Sequence, residues 1–121
     1  MSFPDLVEFS LQEQRLPTGA VLVTAQGELD IATAPALRER LVSAIDAGAT
    51  AVVLDLRSVA FMDSVALAAI LHAGAQLAGR GRLAVVVPYD SYTRLVFEIA
   101  GMPRCLDLFE ELDEAVAHLA G

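Results

Sequence analysis

Few residues in this chain are able to do covalent or acid–base chemistry, and their spacing decides most of what the chain is able to be. Ser64 follows Asp63 and stands where the apolar run Val52-Val53-Leu54-Asp55-Leu56, after a short connection, gives way to a helical pattern. A serine at a helix start has backbone N–H groups and the positive end of the helix dipole beside it, and both favour added negative charge. Its hydroxyl is therefore a good phosphate acceptor, because the product finds an anion site ready for it. The plainer role of a serine before a helix is to cap it. A hydrolase would need more: a base and an oxyanion site around the nucleophile. Here Asp63, not glycine, precedes Ser64, so the Gly-x-Ser-x-Gly elbow is missing. His72 is two turns further along the same helical pattern, roughly 12 Å away by helical rise, and His118 lies near the end of the chain.

The other chemistry-bearing residues are no better arranged for catalysis. Gly74 and Gly79 have phosphate-loop spacing, but Arg80-Gly81 follows where Lys and Ser/Thr belong, and the stretch lies inside a helical pattern. No group of His, Cys, Asp and Glu has metal-ligand spacing, so neither metal nor cofactor is expected. The acidic run Glu110, Glu111, Asp113, Glu114 reads as a solvated helix start. Cys105, the one cysteine, has no partner for an internal disulfide and sits in an apolar segment, as a small core residue does. The reading is of a protein that is not an enzyme.

Charge narrows the partners. Sixteen acidic residues against eight basic ones, all arginine, give a net charge of −8. Such a chain repels a phosphate backbone, so nucleic acid is not an expected partner. No apolar run approaches the ~20 residues a spanning helix needs, and Met1-Ser2-Phe3-Pro4-Asp5 does not begin a secretory signal. A cytoplasmic protein is expected, without membrane insertion.

The elements that must position Ser64 follow from periodicity. Val7, Phe9 and Leu11 alternate with polar neighbours as a half-buried strand does, Pro17-Thr18-Gly19 turns the chain, and Ala20 to Thr24 leads to Gly27-Glu28-Leu29-Asp30, a strand closing in a tight turn. The two runs predict a hairpin. A helix is predicted from Thr33 or Ala34, with Thr33 as its cap, Leu37, Leu41 and Ile45 on its inner face and Gly48 as its stop. Ala51 to Leu56 predicts a strand covered on both faces, and a second helix runs from about Ser64 to Ala78. Leu83 to Val87 is a buried strand ended by Pro88. Ser91 caps a third helix with Leu95, Val96 and Ile99 inward and Gly101 and Pro103 as stops; Cys105 to Phe109 is a short last strand and Glu110 to Leu119 a last helix. At 121 residues this is the length of one domain. Strands alternating with helices make it α/β, with a mainly parallel sheet.

With Val52-Val53-Leu54-Asp55-Leu56 before it and Leu67 after it, Phe61-Met62-Asp63-Ser64 resembles the signature of the STAS domain of bacterial anti-sigma factor antagonists. Gly27-Glu28-Leu29-Asp30 is similar to the family's upstream turn, and Arg94-Leu95-Val96-Phe97 with Gly101 to its third helix. The resemblance implies a single STAS domain over residues 1–121, a mixed, mainly parallel sheet with an N-terminal β-hairpin and about four helices. It implies that Ser64 is phosphorylated by an anti-sigma factor that is itself a serine kinase with a histidine-kinase-like ATPase fold. The unphosphorylated protein would bind that factor and free the sigma factor, and a PP2C-type phosphatase would restore the active form. Asp30, Asp63, Ser64, Val65 and Ala66 are the partner-binding residues it implies. The chain departs from the family where Val65-Ala66 replaces the usual Ser-Gly or similar pair, so the first helical turn lacks a glycine's freedom. The alternative is a STAS subunit of a lipid-transport ATPase or of a sensory assembly; such proteins often lack a serine at this position, and Ser64 is present.

Overall fold

The apolar run Ala51-Val52-Val53-Leu54 sits at the centre of the sheet, and the rest of the architecture is arranged around it. In a computed structural model that describes residues 8–101 and 106–120, the chain forms β1 (Ser10–Arg15), β2 (Val21–Leu29), α1 (Ala34–Asp46), β3 (Ala51–Met62), α2 (Ser64–Leu77), β4 (Arg82–Val86), α3 (Tyr92–Ile99), β5 (Leu106–Phe109) and α4 (Leu112–Ala120). The sheet order is β1-β2-β3-β4-β5, with β1 antiparallel to β2 and every later pair parallel. The predicted hairpin and the mainly parallel α/β sheet are both present.

Topology fixes the layers. A parallel crossover is right-handed, and here each one steps to the next strand in the same direction, so all three crossover helices land on one face. The main core lies on that face: Val23, Leu29, Val52, Leu54, Leu56, Val85 and Val87 from the sheet side meet Leu37 and Leu41 of α1, Ile70 and Leu77 of α2 and Phe97 of α3. The opposite face carries α4 alone, whose Ala115, Leu112 and Val116 close over Leu22, Val53, Ala84 and Val86. Burial on both faces explains why β3 and β4 read as continuous apolar runs.

Four local expectations are corrected. The strand that begins at Ala51 does not end at Leu56 in a loop; β3 continues to Met62 and runs directly into α2. Likewise β2 extends through Gly27 to Leu29. Thr33 stands at the N-cap of α1 but makes no capping bond with its side chain; its hydroxyl donates instead to the Glu28 carbonyl at 2.9 Å and accepts from the Asp30 N–H at 2.9 Å. In α3 the inward stripe is Thr93, Arg94 and Phe97, with Val96 only half-buried, while Leu95 and Ile99 face solvent. Ser91 does cap α3, accepting from the Arg94 N–H at 3.0 Å. That cap sets the helix phase so that Phe97 enters the core. Arg94 is buried beneath Tyr89, its guanidinium 4.4 Å from the ring centre and donating to the Val87 carbonyl at 3.1 Å. The expectations for Val7, Pro103 and Cys105 fall outside the described residues.

Candidate functional site

Ser64 is delivered by β3, and β3 reaches it by an irregular path. The residues that β3 turns to the main core are Val52, Leu54, Leu56, Val59 and Met62, so the spacing of two becomes three after Leu56. Strand pairing shows why. Thr24 pairs with Asp55 but Gln26 with Ser58, so Leu56 and Arg57 together oppose Ala25; Gly27 pairs with Val59 but Glu28 with Phe61, leaving Ala60 extra. Two bulges thus shorten β3 relative to β2: ten residue steps from Val52 to Met62 lie against eight from Val21 to Leu29. At the second bulge Gly27 takes φ 99°, a conformation side chains resist. At the first, the buried Asp55 turns its carboxylate onto Arg57. Its Oδ1 accepts from the Arg57 backbone N–H and Nε–H, both at 3.0 Å, and its Oδ2 from Nη2 at 2.9 Å. The Asp55 carboxylate, and behind it Glu111 and Asp113 at the start of α4, raise the Arg57 pKa above its ordinary value.

The shortening brings two acidic corners level at the carboxyl ends of neighbouring strands. Asp63 donates its backbone N–H to the Leu29 carbonyl at 3.0 Å, so Leu29-Asp30 and Met62-Asp63 lie side by side. Asp63 is the N-cap of α2: its Oδ1 accepts from the Val65 and Ala66 N–H groups at 3.0 and 3.1 Å. At the other corner Asp30 Oδ1 accepts from the Ala32 and Thr33 N–H groups at 2.9 and 3.1 Å, a local turn that leads into α1.

Ser64 is the first residue of α2 and is exposed, and its hydroxyl makes no hydrogen bond among the described residues. It is therefore not a cap. The cap is Asp63, which already occupies two of the N–H donors that an anion on Ser64 would seek. The anion site expected at this helix start is filled by the chain's own carboxylate.

The structure brings Asp30, Asp63, Ser64 and Val65 to one rim. Val65 is 43% exposed, whereas Ala66 is 0% exposed and belongs to the core, so its methyl offers a partner no surface. The rim carries apolar side chains that periodicity did not single out. Ile31 follows Asp30 and is largely exposed, Phe61 precedes the cap, and Tyr92 at the start of α3 stacks on Phe61 with centroids 5.6 Å apart and planes 11° from parallel. The sequence signal for Phe61 is the broken alternation after Leu56, which turns it outward. From Val65 an open cleft of about 660 Å³ runs between α1 and α2 past Ala34, Arg38, Ala69 and His72. Among the described residues no group of three or more His, Cys, Asp and Glu side chains is placed to hold a metal, and no helix is long and apolar enough to cross a membrane.

The family model of the STAS domain matches residues 12–115. The chain is 31% identical to the anti-sigma-F factor antagonist RsfB of Mycobacterium tuberculosis over 121 residues, all of this chain and 96% of that protein. Among solved structures, an anti-sigma factor antagonist from Mycobacterium paratuberculosis superposes with a TM-score of 0.85 at 26% identity, covering 100% of both chains. The Bacillus cell fate determinant SpoIIAA in its phosphorylated form superposes with a TM-score of 0.67 at 25% identity, over 90% of this chain and 98% of that one.

Proposed function

This chain belongs to the STAS domain family, and on that premise we propose that it is an anti-sigma factor antagonist switched by phosphorylation of Ser64. Unphosphorylated, it binds an anti-sigma factor and so frees a sigma factor for transcription; phosphorylated, it lets the anti-sigma factor go. The partner is a serine kinase with a histidine-kinase-like ATPase fold, and a PP2C-type phosphatase resets the cycle. No contact with nucleic acid is involved, in keeping with a net charge of −8. The full-length likeness to RsfB supports the partner class. The observation that carries the reading is the free, exposed Ser64 hydroxyl on a rim shared with Asp30, Asp63 and exposed apolar side chains.

The chemistry of the switch follows from that rim. Ile31, Phe61 and Val65 supply apolar area that binding removes from water, and the neutral hydroxyl at its centre is cheap to bury once hydrogen-bonded. A phosphate there adds a charge of about −1.5 to −2 beside Asp63, whose cap bonds leave it few free donors. Burying an unpaired charge against a surface shaped for a hydroxyl costs several kcal/mol, and a hundredfold loss of affinity needs only about 2.7 kcal/mol. The test is incubation with the cognate anti-sigma factor and ATP, followed by mass mapping. Phosphate at Ser64 and at none of Ser10, Ser43, Ser58 or Ser91 is expected, with Ser64→Ala unlabelled and bound constitutively. Stoichiometric label retained in Ser64→Ala refutes the assignment.

A further inference from the structure

We propose that Asp55 and Arg57 are positioning residues for Ser64: their fork locks the first bulge of β3, and the bulge sets how far along the sheet the strand delivers Asp63 and Ser64. This rests on the reading of Ser64 as the control point.

A bulge strands a backbone donor, because one residue of the longer strand loses its partner across the ladder. Here the Arg57 N–H lies within the bulged pair Leu56-Arg57, and the Asp55 carboxylate accepts it at 3.0 Å. The two oxygens of the same carboxylate then grip one edge of the Arg57 guanidinium, through Nε and Nη2. Asp55 is 5% exposed, and a buried carboxylate without such donors would be strongly unfavourable. The pair therefore favours the bulged strand over a regular one, in which the Arg57 N–H would return to the ladder and the carboxylate would lose a donor.

The consequence is felt at the far end of the strand. Each bulge withdraws β3 by one residue, about 3.3 Å. Without the first, Met62 would no longer lie opposite Leu29 and the bond from the Asp63 N–H to the Leu29 carbonyl would be lost. A single-residue slip also reverses which face each side chain meets, so Val59 would leave the core. The two acidic corners would no longer be level, and Ser64 would sit one residue out of line with Asp30. Asp55 and Arg57 lie on the α4 side of the sheet, away from the rim, so neither needs to touch a partner to have this effect.

The experiment is amide hydrogen exchange by NMR on the full chain, with Arg57→Ala, Arg57→Lys and Asp55→Asn beside the native protein. In Arg57→Ala the Asp63 amide is expected to exchange at least tenfold faster, while the amides of β4 keep their native rates. Arg57→Lys, which keeps the charge and loses the fork, should fall between. The rate at which the anti-sigma factor and ATP label Ser64 should follow the same order. Faster exchange confined to residues 55–58, or spread evenly over the sheet, overturns the proposal. If native protein is not labelled at all, the reading of Ser64 fails, and the exchange data still decide whether the fork positions it.

Discussion

Phosphate on Ser64 should leave the stability of the free domain almost unchanged, and the reason is Asp63. The perturbation is installation of phosphoserine at position 64 during synthesis, which needs no kinase. A negative charge at a helix N-terminus gains about 0.3–1 kcal/mol. Against this stands the Asp63 carboxylate, which already accepts from the Val65 and Ala66 N–H groups. At about 5–6 Å, a phosphate of charge −1.5 to −2 repels a carboxylate by roughly 1–1.5 kcal/mol in water, and physiological salt about halves that. The two effects cancel to within about 0.5 kcal/mol, or roughly 3 °C for a domain of this size. In Asp63→Asn the repulsion disappears, so the same phosphate should stabilise by about 0.3–1 kcal/mol. The assay is the double-mutant cycle read by thermal and urea unfolding: native and Asp63→Asn, each with and without phosphoserine. Equal shifts in both backgrounds would mean that Asp63 and the phosphate do not interact. A fall of more than about 5 °C in the native background would mean that the switch loosens the fold.

Two further substitutions probe the packing around the site. Ala66→Gly restores the commoner family residue but deletes a fully buried methyl from a helix; a loss of about 1–2 kcal/mol is expected in urea unfolding, alongside an equal or higher rate of Ser64 labelling, and a fall in that rate would contradict the role given to the glycine. Gly81→Ala places a methyl 2.1 Å from the Thr50 carbonyl oxygen, a backbone clash no rotamer relieves, and should cost more than about 2 kcal/mol by the same measure; an unchanged midpoint would refute the close approach of the α1–β3 and α2–β4 connections.

The architecture was legible because its signals are redundant. Hairpin turn residues, alternating apolar runs and helix punctuation all point to the same order of elements, and the run Ala51 to Leu56 could only be a strand buried on both sides. What escaped was irregularity. Period-two reasoning ends β3 at Leu56, since Arg57-Ser58 breaks the alternation; only pairing with β2 reveals bulges instead of a loop. Aliphatic periodicity misplaces the inward stripe of α3 for a related reason. Leu95, Val96 and Ile99 are its aliphatic residues, yet Phe97 takes the core and Arg94 goes in with it, because Val87 and Tyr89 give the guanidinium a carbonyl and a ring. At the site, the sequence marks Asp63 and Ser64 as neighbours at a helix start. It does not say which of the two caps the helix, since either residue type does so well; that is decided by Asp63 being held extended at φ −105° and ψ −178°.

A sheet whose strands follow one another without reversal has a further consequence. Open α/β sheets take nucleotides in the crevice that forms where successive crossovers leave for opposite faces. The order β1-β2-β3-β4-β5 contains no such reversal, so the three crossover helices leave the carboxyl ends of their strands for one face and no crevice of that kind opens between β2 and β3. The edge on which Asp30 and Ser64 stand is a ledge beside the α1–α2 cleft. A surface as broad as another protein could cover that ledge whole.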